Sequence, residues 1–185
     1  GALRQLELSG LEVTPYPYQE EMLEALRSER EIKDRHRNLL VAATGTGKTV
    51  VAALDYRNLC EQWKRRPRLL FVAHRKEILH QARRTFREVL KDADFGELLV
   101  DGAEPHRWDF VFASVQSLRA SRLEQLDPKR FDVIIIDEFH HAQAPTYNAL
   151  LDHFQPREFL GLTATPERGD GENVQKYFDY RVAHE

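Results

Sequence analysis

The sequence predicts one α/β domain, a doubly wound, mainly parallel sheet with helices on both faces. Three observations predict it. Short, nearly continuous runs of branched apolar residues recur along the chain, as strands buried on both faces require. Longer amphipathic stretches lie between them, long enough for the crossovers that join parallel neighbours. The unusual polar residues cluster just after the apolar runs, where open parallel sheets bind their ligands.

In chain order, Pro15 and Pro17 precede a helix near 18–30, because proline is tolerated in a first helical turn. The run 38–43 (NLLVAA) is the first strand, followed by a glycine-rich turn and a helix over 47–65 that Pro67 closes. Strand 68–73 (RLLFVA) leads into a helix over 75–91, and strands 96–100 and 109–114 follow. A short helix is expected over 114–120, with Pro128 as the stop of that region. Strand 132–137 (DVIIID), a helix over 145–153 and strand 158–163 (EFLGLT) complete the pattern, which gives six strands in all. Right-handed crossovers then place helices on both faces.

Composition narrows the function. The 185 residues are 42% hydrophobic and 31% charged, enough for one sizeable core. The single cysteine, Cys60, excludes an intramolecular disulfide and a cysteine-based zinc site. The eight histidines show no repeated metal spacing, so His140 and His141 are not read as a zinc pair. No apolar stretch approaches 18 residues and no basic-then-apolar leader opens the chain, so a cytoplasmic protein without a membrane partner is expected. A net charge of -3 leaves any nucleic-acid binding to local groups. The basic runs at 64–68 and 83–87 are read as solvated faces or turns. The chain opens on Gly1, which is read as a sign of a fragment.

After strand 38–43 comes Thr44-Gly45-Thr46-Gly47-Lys48-Thr49. Gly45 and Gly47 let the backbone curl so that successive N–H groups form an anion nest, and the following helix adds its positive end. Lys48 is placed to reach the β- and γ-phosphates of a nucleotide, and the Thr49 hydroxyl to ligate Mg²⁺. The first glycine of the usual phosphate-loop pattern is Ala42 here. At the end of the run VIIID, Asp137 is the candidate Mg²⁺ ligand and Glu138 the group that orients or deprotonates the attacking water. A solvated acidic strand end is the bland alternative for the pair.

With these residues in place, the chain resembles the first RecA-like domain of superfamily 2 helicases and translocases, a P-loop NTPase domain. The resemblance runs from about Leu11 to the end. PYPYQ (15–19) is similar to the Q motif, AATGTGKT (42–49) to motif I, VAHRKEILHQA (72–82) to motif Ia and FASVQSL (112–118) to the Ib region. DEFH (137–140) is similar to motif II of the DExH type and TATP (163–166) to motif III. The wording of the last two looks closest to bacterial proteins related to restriction-enzyme motors.

The resemblance implies roles for further residues. Gln19 would match the adenine edge, with Tyr16 or Tyr18 stacking on the base or packing in the core. His140 would link the hydrolysis site to Thr163 or Thr165, whose hydroxyls would change partners when the γ-phosphate leaves. Arg75, Gln81, Ser114 and Gln116 would contact a nucleic-acid backbone, with Arg168 following motif III. The implied activity is ATP hydrolysis coupled to movement on nucleic acid, with DNA favoured over RNA and ATP and Mg²⁺ required. The expected organisation is one ATP-binding domain over 1–185 with a core of about 11–170. A second RecA-like domain, absent from this chain, would supply the arginine fingers, so the chain alone is expected to be nearly inactive. Two other readings stay open at this point: a small-molecule phosphotransferase, and an ATP-gated nucleic-acid clamp without useful turnover. Polarity and oligomeric state are not legible.

Overall fold

The computed structural model describes residues 12–42, 45–138, 144–164 and 180–184, with 45–46, 144–146 and 180–184 described by backbone alone. The strands are β1 (Arg37–Ala42), β2 (Leu69–Ala73), β3 (Glu97–Leu99), β4 (Phe110–Ser114), β5 (Val133–Asp137), β6 (Glu158–Thr163) and β7 (Tyr180–His184). The helices are α1 (Pro17–Glu31), α2 (Gly45–Trp63), α3 (Lys76–Leu90), α4 (Ala120–Leu123) and α5 (Ala144–His153). Among the described residues the strands form one sheet in the order β3-β4-β2-β5-β6-β1-β7, and every pairing is parallel. The order doubles back, so successive crossovers run in opposite directions and put helices on opposite faces.

The strand period decides what each face buries. Leu40, Leu69, Phe71, Ile135, Leu160 and Leu162 pack with apolar residues of α1, α2 and α3. Their strand neighbours Leu39, Val41, Leu70, Val72, Ile134 and Ile136 pack with α4, α5 and Phe131. Beneath α2 and α3, Phe71, Phe86, Phe95 and Phe112 form an aromatic cluster with ring centroids 5.4–6.3 Å apart. Gly96 closes this cluster at φ +90, where an added Cβ would lie 2.6 Å from the Phe112 ring.

Three expectations are adjusted. The helix expected over 114–120 is a 3-10 turn, Val115–Ser117, followed by the short α4. The tighter turn brings Val115 and Leu118 to one side, where both are buried in the second core. The strand expected over 96–100 shortens to Glu97–Leu99, between Gly96 and a turn at 100–103. That turn has Asp101 and Gly102 at φ 52 and 82, and Ala103 N–H donates to Val100 O over 3.0 Å. β7 adds a seventh strand beyond residue 170, paired to β1 from Asn38↔Tyr180 to Ala42↔His184.

The amino-end rim of the sheet carries a charged network. Arg30 of α1 donates to both oxygens of Asp55 in α2, at 2.6 and 2.9 Å, and its Nε lies 3.2 Å from Glu158 Oε1 at the start of β6. All three side chains are buried. His36 joins in, with Nδ1 2.8 Å from Glu158 Oε2 and Nε2 2.6 Å from Asp34. Burial disfavours the charged imidazole, but hydrogen bonds to Asp34 and Glu158 and their charges outweigh it and raise the His36 pKa. The basic run at 64–68 is spent on this rim too: Arg65 lies 3.3 Å from Asp132, Arg68 N–H donates to the same carboxylate at 2.8 Å, and Arg66 pairs with Asp92. Among the described residues, no helix is long and apolar enough to cross a membrane.

Candidate functional site

Because all strands are parallel, their carboxyl ends share one rim. Across it, in order, stand the ends of β1, β6, β5, β2 and β4. α2 begins at Gly45, three residues after β1, and has no acidic residue in its first turn to neutralise its positive end. Lys48 in that turn is buried, with 2% of its surface exposed. Its Nζ lies 3.1 Å from Asp137 Oδ1 and also contacts Glu138 Oε1.

A buried ammonium must be paired, and here two adjacent acids pair it. Asp137 is the last residue of β5, buried, and level with Leu162 of β6. Glu138, a quarter exposed, takes φ 54. That left-handed backbone turns the chain sharply off the strand and costs a non-glycine residue about 1–2 kcal/mol. The ammonium sits between the two carboxylates, yet Nζ has no well-aligned hydrogen bond among the described residues. An ammonium held by charge more than by directed bonds can exchange these carboxylates for phosphate oxygens.

Around this cluster, Thr163 ends β6, buried and level with Val41 of β1. Thr49 is half-buried in the first turn of α2. Gln19 in α1 is buried, and its Oε1 accepts from Tyr16 N–H over 3.0 Å, so the amide caps its own helix. The cap uses the carbonyl oxygen and not the NH₂ group of the amide. Tyr16 is two-thirds exposed and lies parallel to Tyr18, with centroids 6.2 Å apart.

A second cluster occupies the same rim beyond β5. Arg75, exposed, precedes α3, and Gln81 is exposed on that helix. Ser114 is buried and its hydroxyl pairs with Ser117 Oγ at 2.7 Å, while Gln116 stands exposed on the 3-10 turn. Gln116 Nε2 lies 3.3 Å from His74 Nδ1. His74 was not singled out from the sequence, although it sits inside the stretch similar to motif Ia. Glu138's backbone and the Gln19 cap also went unread. The first has no sequence signal, whereas the three-residue spacing from Tyr16 to Gln19 was a visible one. Thr44, His140, Thr165 and Arg168 lie outside the described residues, and Gly45 and Thr46 are described by backbone alone. Cys60 is on the opposite rim, and burial pushes its thiol up to about 11, so it is an inert neutral group at physiological pH.

The family described as "Type III restriction enzyme, res subunit" matches residues 12–168, which take in both clusters. The chain belongs to this family. Among relatives of this res-subunit domain, a protein whose name describes a mitochondrial ATP-dependent helicase, irc3 of Schizosaccharomyces pombe, is 33% identical over 178 residues. That match takes in 91% of this chain and 28% of irc3. The DNA 3'-5' translocase XPB2 of Sulfurisphaera tokodaii is 27% identical over 174 residues, 91% of this chain and 37% of XPB2. Among solved structures, the UvsW helicase of bacteriophage T4 superimposes with a TM-score of 0.73 at 17% identity. It covers 98% of this chain and 66% of UvsW, and it shows the fold. The chain is thus a helicase-like ATPase domain of RecA-like fold, homologous to DNA helicases and translocases, and it spans 28% and 37% of the two curated relatives' lengths.

Proposed function

We propose that this domain is the ATP-binding lobe of a nucleic-acid-dependent ATPase that couples hydrolysis to movement on DNA. The observation that carries this reading is the buried Lys48–Asp137–Glu138 cluster, facing the start of α2, with an exposed polar cluster two strands away on the same rim. Lys48 exchanges its carboxylate partners for the β- and γ-phosphate oxygens, and the backbone N–H groups at the start of α2 complete the cradle. Gln19 offers its amide donor to the adenine edge, while its carbonyl stays on the helix cap.

Thr49 and Asp137 offer a hydroxyl and a carboxylate, hard oxygen ligands that fit Mg²⁺. When bound, that ion neutralises charge on the phosphates. Glu138, released from Lys48, orients the attacking water and takes its proton. Thr163, level with the cradle strand and one residue past Asp137 in register, changes hydrogen-bond partners as the γ-phosphate leaves. Thr165 and His140 take the neighbouring roles that the family resemblance gives them. Arg75, Gln81 and Gln116 hold a nucleic-acid backbone by phosphate contacts that position a strand without reading it. The buried Ser114 hydroxyl supports that cluster through Ser117. A second RecA-like lobe supplies the opposing cations, an effect worth about 10³–10⁵ in rate.

The test is phosphate release by the full-length protein, with and without DNA, beside ATP binding by calorimetry. Wild type is expected to bind ATP and to hydrolyse it faster with DNA. Lys48→Ala is expected to lose most of the affinity, since a charge-assisted phosphate contact is removed. Unchanged ATP affinity in folded Lys48→Ala overturns the site, and DNA-independent turnover overturns the motor.

A further inference from the structure

Between the two clusters stands a pair of rings that neither cluster uses. His74 directly follows β2, and β2 pairs with β5, which ends in Asp137, on one side and with β4, which ends in Ser114, on the other. On the β4 side, the Gln116 amide nitrogen faces His74 Nδ1 at 3.3 Å. An amide NH₂ group donates, so Nδ1 accepts and the ring proton resides on Nε2. That Nε2 is buried and has no hydrogen-bond partner among the described residues. On the β5 side, the His74 ring lies against Tyr147 of α5, with centroids 6.4 Å apart and planes at 50°. Tyr147 is fully buried. Burial, and with it the charge of Asp137, holds its phenol in the protonated form. The contacts therefore run from an exposed amide through two rings to the field of the buried carboxylate.

We propose that His74 and Tyr147 are positioning residues that transmit occupancy of the nucleic-acid rim to Asp137. This rests on the function proposed above. The Gln116–His74 bond is long for a hydrogen bond and its donor is exposed, so it is easily exchanged. A nucleic-acid backbone presents anionic oxygens, which accept the same amide protons more strongly than a neutral imidazole does. When Gln116 turns to a phosphate, His74 loses its one directed partner among the described residues, because its buried Nε2 has none. The ring, no longer anchored, is free to turn against Tyr147, and the phenol moves relative to Asp137. The Asp137 carboxylate is thereby released from one arrangement and favoured in another. The rim and the nucleotide site are then linked through a few side chains with two arrangements, as coupling between sites demands.

The readout is the ratio of DNA-stimulated to unstimulated ATPase in the full-length protein. His74→Phe keeps a ring against Tyr147 and removes both nitrogens, and Tyr147→Phe keeps the ring and removes the hydroxyl. A packing role leaves both variants like wild type. The relay predicts that each lowers the ratio by about ten-fold, while affinities for ATP and for DNA stay put. The double variant should do no worse than either single one, because both cut one pathway. Melting temperatures check the fold, and if His74→Phe melts early, Tyr147→Phe reads the same coupling from the other end. Single variants whose ratios stay within about two-fold of wild type overturn the relay. A wild type that binds ATP through Lys48 but gains nothing from DNA overturns the motor reading itself, and the relay with it.

Discussion

Glu138 is where chemistry and backbone strain coincide. Glycine would adopt its φ of 54 without cost, yet a carboxylate stands there against Lys48. In the full-length protein, Glu138→Gln is expected to keep ATP bound and to lower kcat by about 10²–10⁴, because an amide cannot take up the proton. Asp137→Asn is expected instead to weaken Mg²⁺-dependent ATP binding, because a charged oxygen ligand is lost. Nucleotide binding and single-turnover hydrolysis separate the two, and equal loss of binding in both variants contradicts the division of labour. Gln19 permits a cleaner test than truncation. Gln19→Glu keeps an oxygen for Tyr16 N–H and removes the amide donor, so the cap survives while the preference for ATP over GTP should fall. Competition by the two nucleotides measures it, and an unchanged preference argues against base recognition by Gln19. Residues such as Lys48 and Asp137 were legible because strand, turn and helix signals surround them. His74 was not, since nothing local marks a histidine whose meaning comes from Gln116, 42 positions on, and from Tyr147 in α5.

At the scale of elements, the amino-end rim ties α1, α2 and β6 together through Arg30, Asp55, Glu158 and His36. The raised His36 pKa makes the folded state bind a proton that the unfolded chain releases near its ordinary value of 6.5. The contribution is complete below that value and is lost as pH rises through the folded one. Burial also raises the Glu158 carboxyl, against the pull of Arg30 and His36, and this acts in the same direction. Thermal melts from pH 6 upward are therefore expected to fall more steeply in the wild type than in His36→Gln; equal slopes would remove His36 as the cause. The six expected strands all appear, because five of them carry apolar runs that are almost wholly buried, while β3, only partly buried, is held by its pairing to β4. β7 escaped notice because Tyr-Arg-Val-Ala-His is short and mixed, and it joins the sheet by backbone pairing to β1. The network was invisible for a related reason. Asp55 interrupts an apolar helical stretch, but only the packing of α1 on α2 brings Arg30 to it.

For the whole molecule, the proposed function gives this lobe the cradle, metal carboxylate and base and leaves the opposing cations to a second lobe, so it should turn over ATP feebly by itself. Residues 1–185 alone are expected to show little DNA stimulation and weak, salt-sensitive DNA binding, since phosphate contacts release counterions. ATPase and binding titrations across salt concentrations check both, and vigorous DNA-stimulated turnover by the monomeric domain refutes the half-motor reading. The sheet that holds these parts ends differently on its two sides. Among the described residues β3 has three residues and pairs with β4 alone, whereas β7 has five and covers β1, so β1 lies between β6 and β7. Deuterium should enter the β3 rim first and the β1 amides last. Mechanically, on the proposed function, the domain is a plate clamped along the nucleotide side and compliant along the side that would meet the strand. Tension on a bound polymer deflects the soft rim first, and the phosphate cradle stays in register while the load changes.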